Sequence, residues 1–378
     1  YISECKESGV KDFTDWLVHA LDVPARPRDL LLVDEAQDLS PLQLALVDHL
    51  AASSKRVIMV GDPDQAIFEF SGANGQYMVD QIRAGIEVRR LPKSRRVPRA
   101  PHALARSLIL QNENRVDAPY EPADGAGFID VHSDYVTAMS YLWRALEDGA
   151  ESAFVLARSG NALGKMGLWL IEEGIPFKGE RTASPMNRGV DLTMVLGVHD
   201  LRETNNLEAN AAYRIADALP AKGGWFVGKK KATVSALKAL ADVEDAPLVH
   251  AHALVNAGMR IDRIMEAPTF VAAIEDMGIE NVHPLMQIVK RYGFEALRTP
   301  PKITLTTYHT SKGREAEVVL VDMECPWPTA RCIERGGAGE EAERRALYVA
   351  VTRTKDTLML LRGTQRNGCI GRRLGLDF

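Results

Sequence analysis

Leu30-Leu31-Leu32-Val33-Asp34-Glu35-Ala36-Gln37-Asp38 is the stretch from which the rest of the chain is read. Four apolar residues in a row predict a buried parallel strand, and the acids arrive where that strand ends. Carboxylates at the carboxyl edge of such a strand lie where open α/β sheets bind ligands. An apolar strand closing on Asp34-Glu35 is the Walker B arrangement, in which the Asp helps hold Mg2+ on nucleotide phosphates. The adjacent Glu is then placed to orient or deprotonate an attacking water. The competing reading is a strand followed by a charged loop, and the segments downstream decide between the two.

The chain has 378 residues, 46% of them hydrophobic and 26% charged, enough for two or three domains with sizeable cores. Its net charge of -5 does not mark the whole as a nucleic-acid binder, but an enzyme that moves along nucleic acid needs only a local basic track. The four cysteines, Cys5, Cys325, Cys332 and Cys369, include no C-x-x-C pair, which argues against a zinc site or disulfide framework. Without a signal peptide or an apolar run of membrane-spanning length, a cytoplasmic location with no membrane partner is expected. The first residue is Tyr1 and not Met, as expected of a fragment.

Residues 12 to 21 carry Phe13, Trp16, Leu17, Ala20 and Leu21 at helical spacing, and Pro24 and Pro27 separate this helix from the acidic strand. Ser40-Pro41 reads as an N-cap with proline at the first helical position, opening a helix through Leu50. Arg56 to Gly61 is a second buried strand, and strand, helix, strand in that order predicts a parallel sheet. A polar turn follows, Gly61-Asp62-Pro63-Asp64-Gln65, which can put Gln65 beside the metal and the terminal phosphate. Phe68 and Phe70 lie just beyond: exposed, they would suit stacking on unpaired bases, and otherwise they are core.

Residues 86 to 99 predict a strand and then a dense basic segment, either a solvated face or the source of a guanidinium for a phosphate across a cleft. Residues 101 to 111 read as helical. Strands at Phe128 to Val131, Ala153 to Arg158 and Pro176 to Lys178 alternate with helices at Val136 to Glu147 and Ala162 to Glu173. Residues 190 to 298 show helical periodicity with no convincing strand. They include Trp225-Phe226 ahead of Lys229-Lys230-Lys231, a solvated helix start or a nucleic-acid contact. The α/β pattern returns at Lys302 to His309, Glu317 to Met323, a helix from Glu340 to Val351 and a last strand from Thr357 to Leu361.

Four blocks, in order, resemble the UvrD/Rep-like group of superfamily 1 DNA helicases. They are Val33-Asp34-Glu35-Ala36-Gln37-Asp38, Val60 to Ile67, His309-Thr310-Ser311-Lys312-Gly313-Arg314-Glu315, and Glu343 to Arg353. The resemblance implies two RecA-like parallel-sheet domains, the first incomplete, with a helical insertion in the second. The boundaries implied are 1–96 for part of the first domain, 97–189 and 299–378 for the second, and 190–298 for the insertion. ATP and Mg2+ would bind in the cleft, and single-stranded DNA, with its junctions to duplex, would run across both domains.

By the same resemblance Asp34 holds Mg2+, Glu35 is the catalytic base and Gln65 contacts the terminal phosphate. Arg96 is the candidate phosphate-sensing arginine, Gly313 and Glu315 serve the nucleotide, with Glu315 on the ribose, and Arg353 is an arginine finger. Such a finger is worth about 10³ to 10⁵ in rate and works only when the cleft is closed, so hydrolysis would be coupled to domain movement. Phe68, Phe70, His309 and Thr310 fall where the family touches DNA, and the family's usual direction is 3′ to 5′.

The departures also carry information. No segment reads G-x-x-x-x-G-K-[ST], the loop that cradles phosphates, so the chain alone is expected to bind ATP poorly and not to unwind DNA. Ser71 stands where the family commonly has Arg, and Arg314 and Ala316 replace the usual Leu and Phe around Glu315. The alternative function is a helicase-like module that lacks ATPase activity and binds DNA or a protein partner. A third, a P-loop ATPase acting on RNA or protein, is disfavoured by the His309 to Glu315 block.

Overall fold

The computed structural model describes residues 11–187, 190–278, 282–363 and 368–376, so Cys5 lies outside the described residues. The chain is mixed α/β with mostly parallel strands, and it divides into two compact units, residues 1–162 with 307–378 and residues 163–306. No helix among the described residues is long and apolar enough to cross a membrane.

In the first unit, helix α1 (Phe13–Asp22) is opened by an Asp12–Asp15 capping box and packs on α2 (Pro41–Ala51). Helix α2 begins as its sequence predicts: the Ser40 hydroxyl accepts from the Gln43 amide, the Gln43 side chain accepts from the Ser40 amide, and Pro41 takes the first turn. Strands β1 (Leu31–Val33) and β2 (Val57–Met59) are parallel, with Leu32 opposite Ile58.

The expected burial of these two strands is corrected by the structure. Val33 is buried, but Leu32 is 65% exposed and Val57 38% exposed. Two short strands with one helix against them cannot be shielded on both faces in the way a wide parallel sheet is. The strand expected to open the stretch 86–99 is also absent: residues 86–90 are irregular, with Ile86 and Val88 exposed and no paired strand among the described residues. Apolar alternation alone does not make a strand where no ladder partner lies alongside.

After helices α3 (Gln76–Arg83) and α4 (Arg99–Ile109), the unit contributes four parallel strands to the main sheet. Its strands are β3 (Phe128–His132), β4 (Ala153–Ala157), β9 (Ala316–Asp322) and β10 (Thr354–Leu361), in the spatial order β3-β10-β9-β4. Val319 faces Leu358 on one side and Phe154 on the other. Helix α5 (Tyr135–Glu147) packs on this sheet, and α16 (Gly337–Val351) buries Ala346 to Val351 in the same core. A helix that the sequence reading did not foresee, α15 (Trp327–Arg335), precedes α16.

The second unit contains α6 (Gly164–Glu172), strand β5 (Phe177–Gly179) paired in parallel with β8 (Ile303–Thr307), and the helices between them. Those helices run from α7 (Val190–Thr204) to α14 (Glu295–Arg298) around a core that includes Val195, Ile215, Trp225 and Ile288. The expectation of no strand here is corrected: β6 (Asn206–Glu208) and β7 (Leu248–His250) form an antiparallel ribbon. Three-residue strands are too short for alternation to show against helical neighbours. Trp225 is buried under the Arg263 guanidinium, 3.9 Å from its ring, and so belongs to the core and not to an exposed basic-aromatic surface.

Candidate nucleotide and nucleic-acid site

All the residues given nucleotide or DNA roles from sequence lie in the first unit. Strand β1 delivers Asp34 and Glu35 to an exposed turn, where the Asp34 carboxylate accepts the Glu35 amide at 2.9 Å. Glu35 has φ +50° and ψ +41°, a left-handed backbone that a non-glycine residue occupies at a cost and that concentrates at functional positions. Its carboxylate accepts from the side-chain amide of Gln37, which is wholly buried. The Gln37 carbonyl oxygen in turn accepts the Asp62 amide at 3.1 Å, joining the turn after β1 to the turn after β2. Gly61 is needed for this crossing, because a Cβ there would stand 2.3 Å from that same oxygen.

The second turn is a single 3-10 helix over Pro63–Gln65, capped by Asp62, whose carboxylate accepts the Asp64 amide at 3.0 Å. Gln65 Nε2 donates to the other Asp62 oxygen at 2.7 Å, while burial and then the neighbouring Asp64 raise the Asp62 pKa. Arg353 Nη2 donates to Gln65 Oε1 at 3.2 Å, and its Nε donates to the Val349 carbonyl at 2.8 Å. Arg353 is 1% exposed. Burial first, and the nearby Arg96 second, push its pKa down to about 9, so it remains charged at neutral pH. A continuous hydrogen-bonded line therefore runs from Glu35 through Gln37, Asp62 and Gln65 to Arg353.

Arg96 stands at the Arg353 end of this line. Burial lowers its pKa while Glu315, Tyr120, Tyr348 and Asp62 oppose that shift, and its Nε is buried with no hydrogen-bond partner among the described residues. Two guanidiniums in one poorly hydrated place repel each other, and an anion is the ligand that relieves them. Glu315 is exposed and pairs with Lys355 at 3.3 Å, and Gly313 before it takes a φ of +76°.

The aromatic residues cluster. Phe68, Phe70 and His309 have ring centroids 5.3 to 6.2 Å apart. Phe70 is 76% exposed, whereas Phe68 is half-buried against the main core. Burial and then Arg158 push the His309 pKa down to about 4, so a neutral imidazole faces the two phenylalanines at physiological pH. The Thr310 hydroxyl is turned onto that of Thr307 at 2.9 Å, and the Ser71 hydroxyl donates to the Phe68 carbonyl at 2.8 Å.

Three cations with no role assigned from sequence fix the segment between Gln65 and the aromatics. Arg115 makes a two-pronged pair with the buried Asp64, at 3.0 and 2.6 Å. Arg345 donates to the Ala66 carbonyl and to Glu69, each at 3.0 Å. Lys312 donates to Asp38 and, at 2.8 Å, to the Gln65 carbonyl. Lys312 and Arg345 sit inside recognisable blocks, but Arg115 lies in a loop whose sequence has no periodicity to read.

The sequence model of the UvrD/REP helicase N-terminal domain matches residues 3–83, and that of the UvrD-like helicase C-terminal domain matches residues 226–363. Among similar proteins, the putative ATP-dependent DNA helicase YjcD of Bacillus subtilis is 23% identical across 97% of this chain and 57% of its own length. DNA helicase II of Escherichia coli is 24% identical across 95% of this chain and 61% of its own. For ATP-dependent DNA helicase UvrD2 of Mycobacterium tuberculosis the values are 26%, 92% and 51%. The chain thus spans about half to two thirds of the length of the curated relatives it matches. Two successive domain matches in the order of the four sequence blocks, with relatives aligned over nearly the whole chain, place it: the chain belongs to the UvrD/Rep-like helicase family.

Proposed function

We propose that this chain forms part of an ATP-dependent DNA helicase or translocase that tracks single-stranded DNA in the 3′ to 5′ direction and opens junctions with duplex. The observation that carries the reading is the hydrogen-bonded line between Glu35 and Arg353, which joins a general base to a buried guanidinium through the amide of Gln65. Glu35 orients and deprotonates the attacking water, Gln65 senses the terminal phosphate, and Arg96 and Arg353 stabilise charge that develops on it. Glu315 and Gly313 hold the sugar side of the nucleotide.

The residues present fit Mg2+ and a polyphosphate: Asp34 and Glu35 are exposed carboxylates, and Arg96 has a buried donor without a partner among the described residues. Asp34 would hold the metal, which polarises the phosphate oxygens when bound. Phe68, Phe70, His309 and Thr310 take the DNA, with Phe70 offering the most open ring. In this reading residues 1–96 belong to one RecA-like domain and 97–189 with 299–378 to the second, with 190–298 inserted in it, and the protein works in the cytoplasm.

The test uses the full-length gene product. ATP hydrolysis should rise when oligo(dT) is added, and a duplex with a 3′ single-stranded tail should be opened while one with a 5′ tail is not. DNA binding with no hydrolysis would instead identify an ATPase-deficient module, and preference for the 5′ tail would reverse the polarity.

A further inference from the structure

Between α4 and β3 the chain passes through Asn112-Glu113-Asn114-Arg115-Val116-Asp117, an irregular stretch that the proposed chemistry does not use. Its first residues are fastened to α16: Asn112 donates to the Glu341 carbonyl at 3.1 Å, and the Glu341 carboxylate accepts the amides of Glu113 and Asn114 at 2.8 and 3.1 Å. Just beyond it, the Tyr120 and Tyr348 hydroxyls meet at 3.1 Å. Glu341, Arg345 and Tyr348 recur at helical spacing and so share one face of α16. The Asn114 side chain donates to Gln76 and accepts from Arg83 on α3 at 3.3 Å, and Asp117 accepts from Arg106 of α4 at 3.0 Å.

Arg115 reaches from this loop into the turn that carries Gln65. Its Nε and Nη2 donate to the two Asp64 oxygens and its Nη1 donates to Asp117 at 2.9 Å, with the side chain only 8% exposed. A planar fork engaged in this way fixes direction as well as distance, which a lysine ammonium does not. Asp64 is the middle residue of the Pro63–Gln65 turn, and the Asp62 carboxylate accepts both the Asp64 amide and the Gln65 side-chain amide, so a rotation of Asp64 carries Gln65 with it. From the other side Arg345 holds the Ala66 carbonyl and Glu69, and Arg353 holds Gln65 itself. The loop therefore grips α16 at one end and the Gln65 turn at the other, and it spaces Gln65 from the end of the helix where Arg353 emerges.

We propose that Arg115 is a positioning residue for hydrolysis: through Asp64 it holds the Gln65 turn at the separation from α16 at which Gln65 and Arg353 meet. The inference rests on the function proposed above for that site. Arg115 touches neither nucleotide nor DNA in this scheme; it determines where the Gln65 amide stands when the terminal phosphate arrives. A misplacement of about 1 Å in such a group can cost on the order of 10²-fold in rate. ATP and DNA, held by other groups, should still bind.

The first measurement is amide hydrogen exchange of the full-length gene product without nucleotide. The amides of Gln65 and Ala66 close the turn on the Asp62 and Pro63 carbonyls at 2.9 and 3.2 Å. In Arg115→Lys, which keeps the charge and loses the fork, their exchange should quicken by at least about tenfold while β4 and β9 keep the wild-type rate. Unchanged exchange at residues 65 and 66 overturns the proposal.

The second measurement is steady-state ATP turnover of the same protein at saturating oligo(dT). Arg115→Lys should lower kcat by at least about tenfold and leave the KM for ATP and the affinity for oligo(dT) within about twofold of wild type. The double variant Asp64→Leu with Arg115→Met fills the same space without a directional contact. Its urea midpoint should approach that of the wild type while kcat stays down by at least about tenfold. Turnover that recovers together with stability in the double variant, or a loss in Arg115→Lys carried by KM alone, overturns the proposal and leaves a structural ion pair. Absence of hydrolysis in the wild type would defeat the site reading itself, and the exchange measurement, which needs no nucleotide, would still decide whether Arg115 holds the turn.

Discussion

In the main sheet every residue of β4 is buried and Leu320 of β9 is wholly inaccessible, whereas in the β1–β2 pair Leu32 is 65% exposed and Val57 38%. Both are parallel. The wide sheet draws its stability from burial, at roughly 25 cal/mol per Å² of apolar surface. The narrow pair leads into the hydrogen-bonded polar line, since Asp34 and Glu35 follow β1 while Asp62 and Gln65 follow β2. Its turns are held less by their own strands than by ties from later in the chain: Ile67 inserted in the main core, Arg115 on Asp64, Arg345 on Glu69 and Arg353 on Gln65. The geometry of the site is thus set by residues distant in sequence.

That contrast can be broken most severely at Arg115. Arg115→Met leaves Asp64 buried without its partner and should cost about 3–5 kcal/mol in urea denaturation. Replacing Asp64 as well, with Leu, should recover much of the loss. A variant as stable as wild type would show that the turn is fixed by burial alone. The two strand systems can be compared directly through a pair of leucines. Leu320→Ala should cost about 2–5 kcal/mol, whereas Leu32→Ala, already open to solvent, should stay within about 0.5 kcal/mol. Similar losses would mean that β1 is as well covered as β9. Phe70→Ala sharpens the functional side: it should weaken single-strand binding by about 1–3 kcal/mol with little change in the thermal midpoint, because the ring is 76% exposed. Unchanged affinity would remove it from the DNA path.

The main sheet was legible in sequence because continuous apolar runs such as Val318 to Val321 admit no other placement once helices flank them. The α2 start was legible for a local reason, the Ser40-Pro41 pair at the N-cap and first helical position. By contrast, the exposure of Leu32 depends on how many strands and helices surround it, which no local pattern records. The same holds for residues 86 to 90, whose alternating apolar residues have no paired strand among the described residues. Within the site, Asp34, Glu35, Gln65 and Arg353 could be named because each lies in a recognisable block. Their joining through buried Gln37 could not, since that link depends on a side chain crossing between two turns and on the missing Cβ of Gly61. Lys312 was visible as a letter, but its reach to Asp38 and Phe68 follows only from three-dimensional proximity.

The central claim is that the guanidinium of Arg353 and the acids at the end of β1 act on one nucleotide, and steady-state ATP turnover of the Arg353→Ala full-length gene product, at saturating single-stranded DNA, tests it most directly. Turnover should fall by at least about 10²-fold while single-strand affinity stays near that of the wild type. Turnover equal to wild type would contradict the account and leave Arg353 as a buried structural cation.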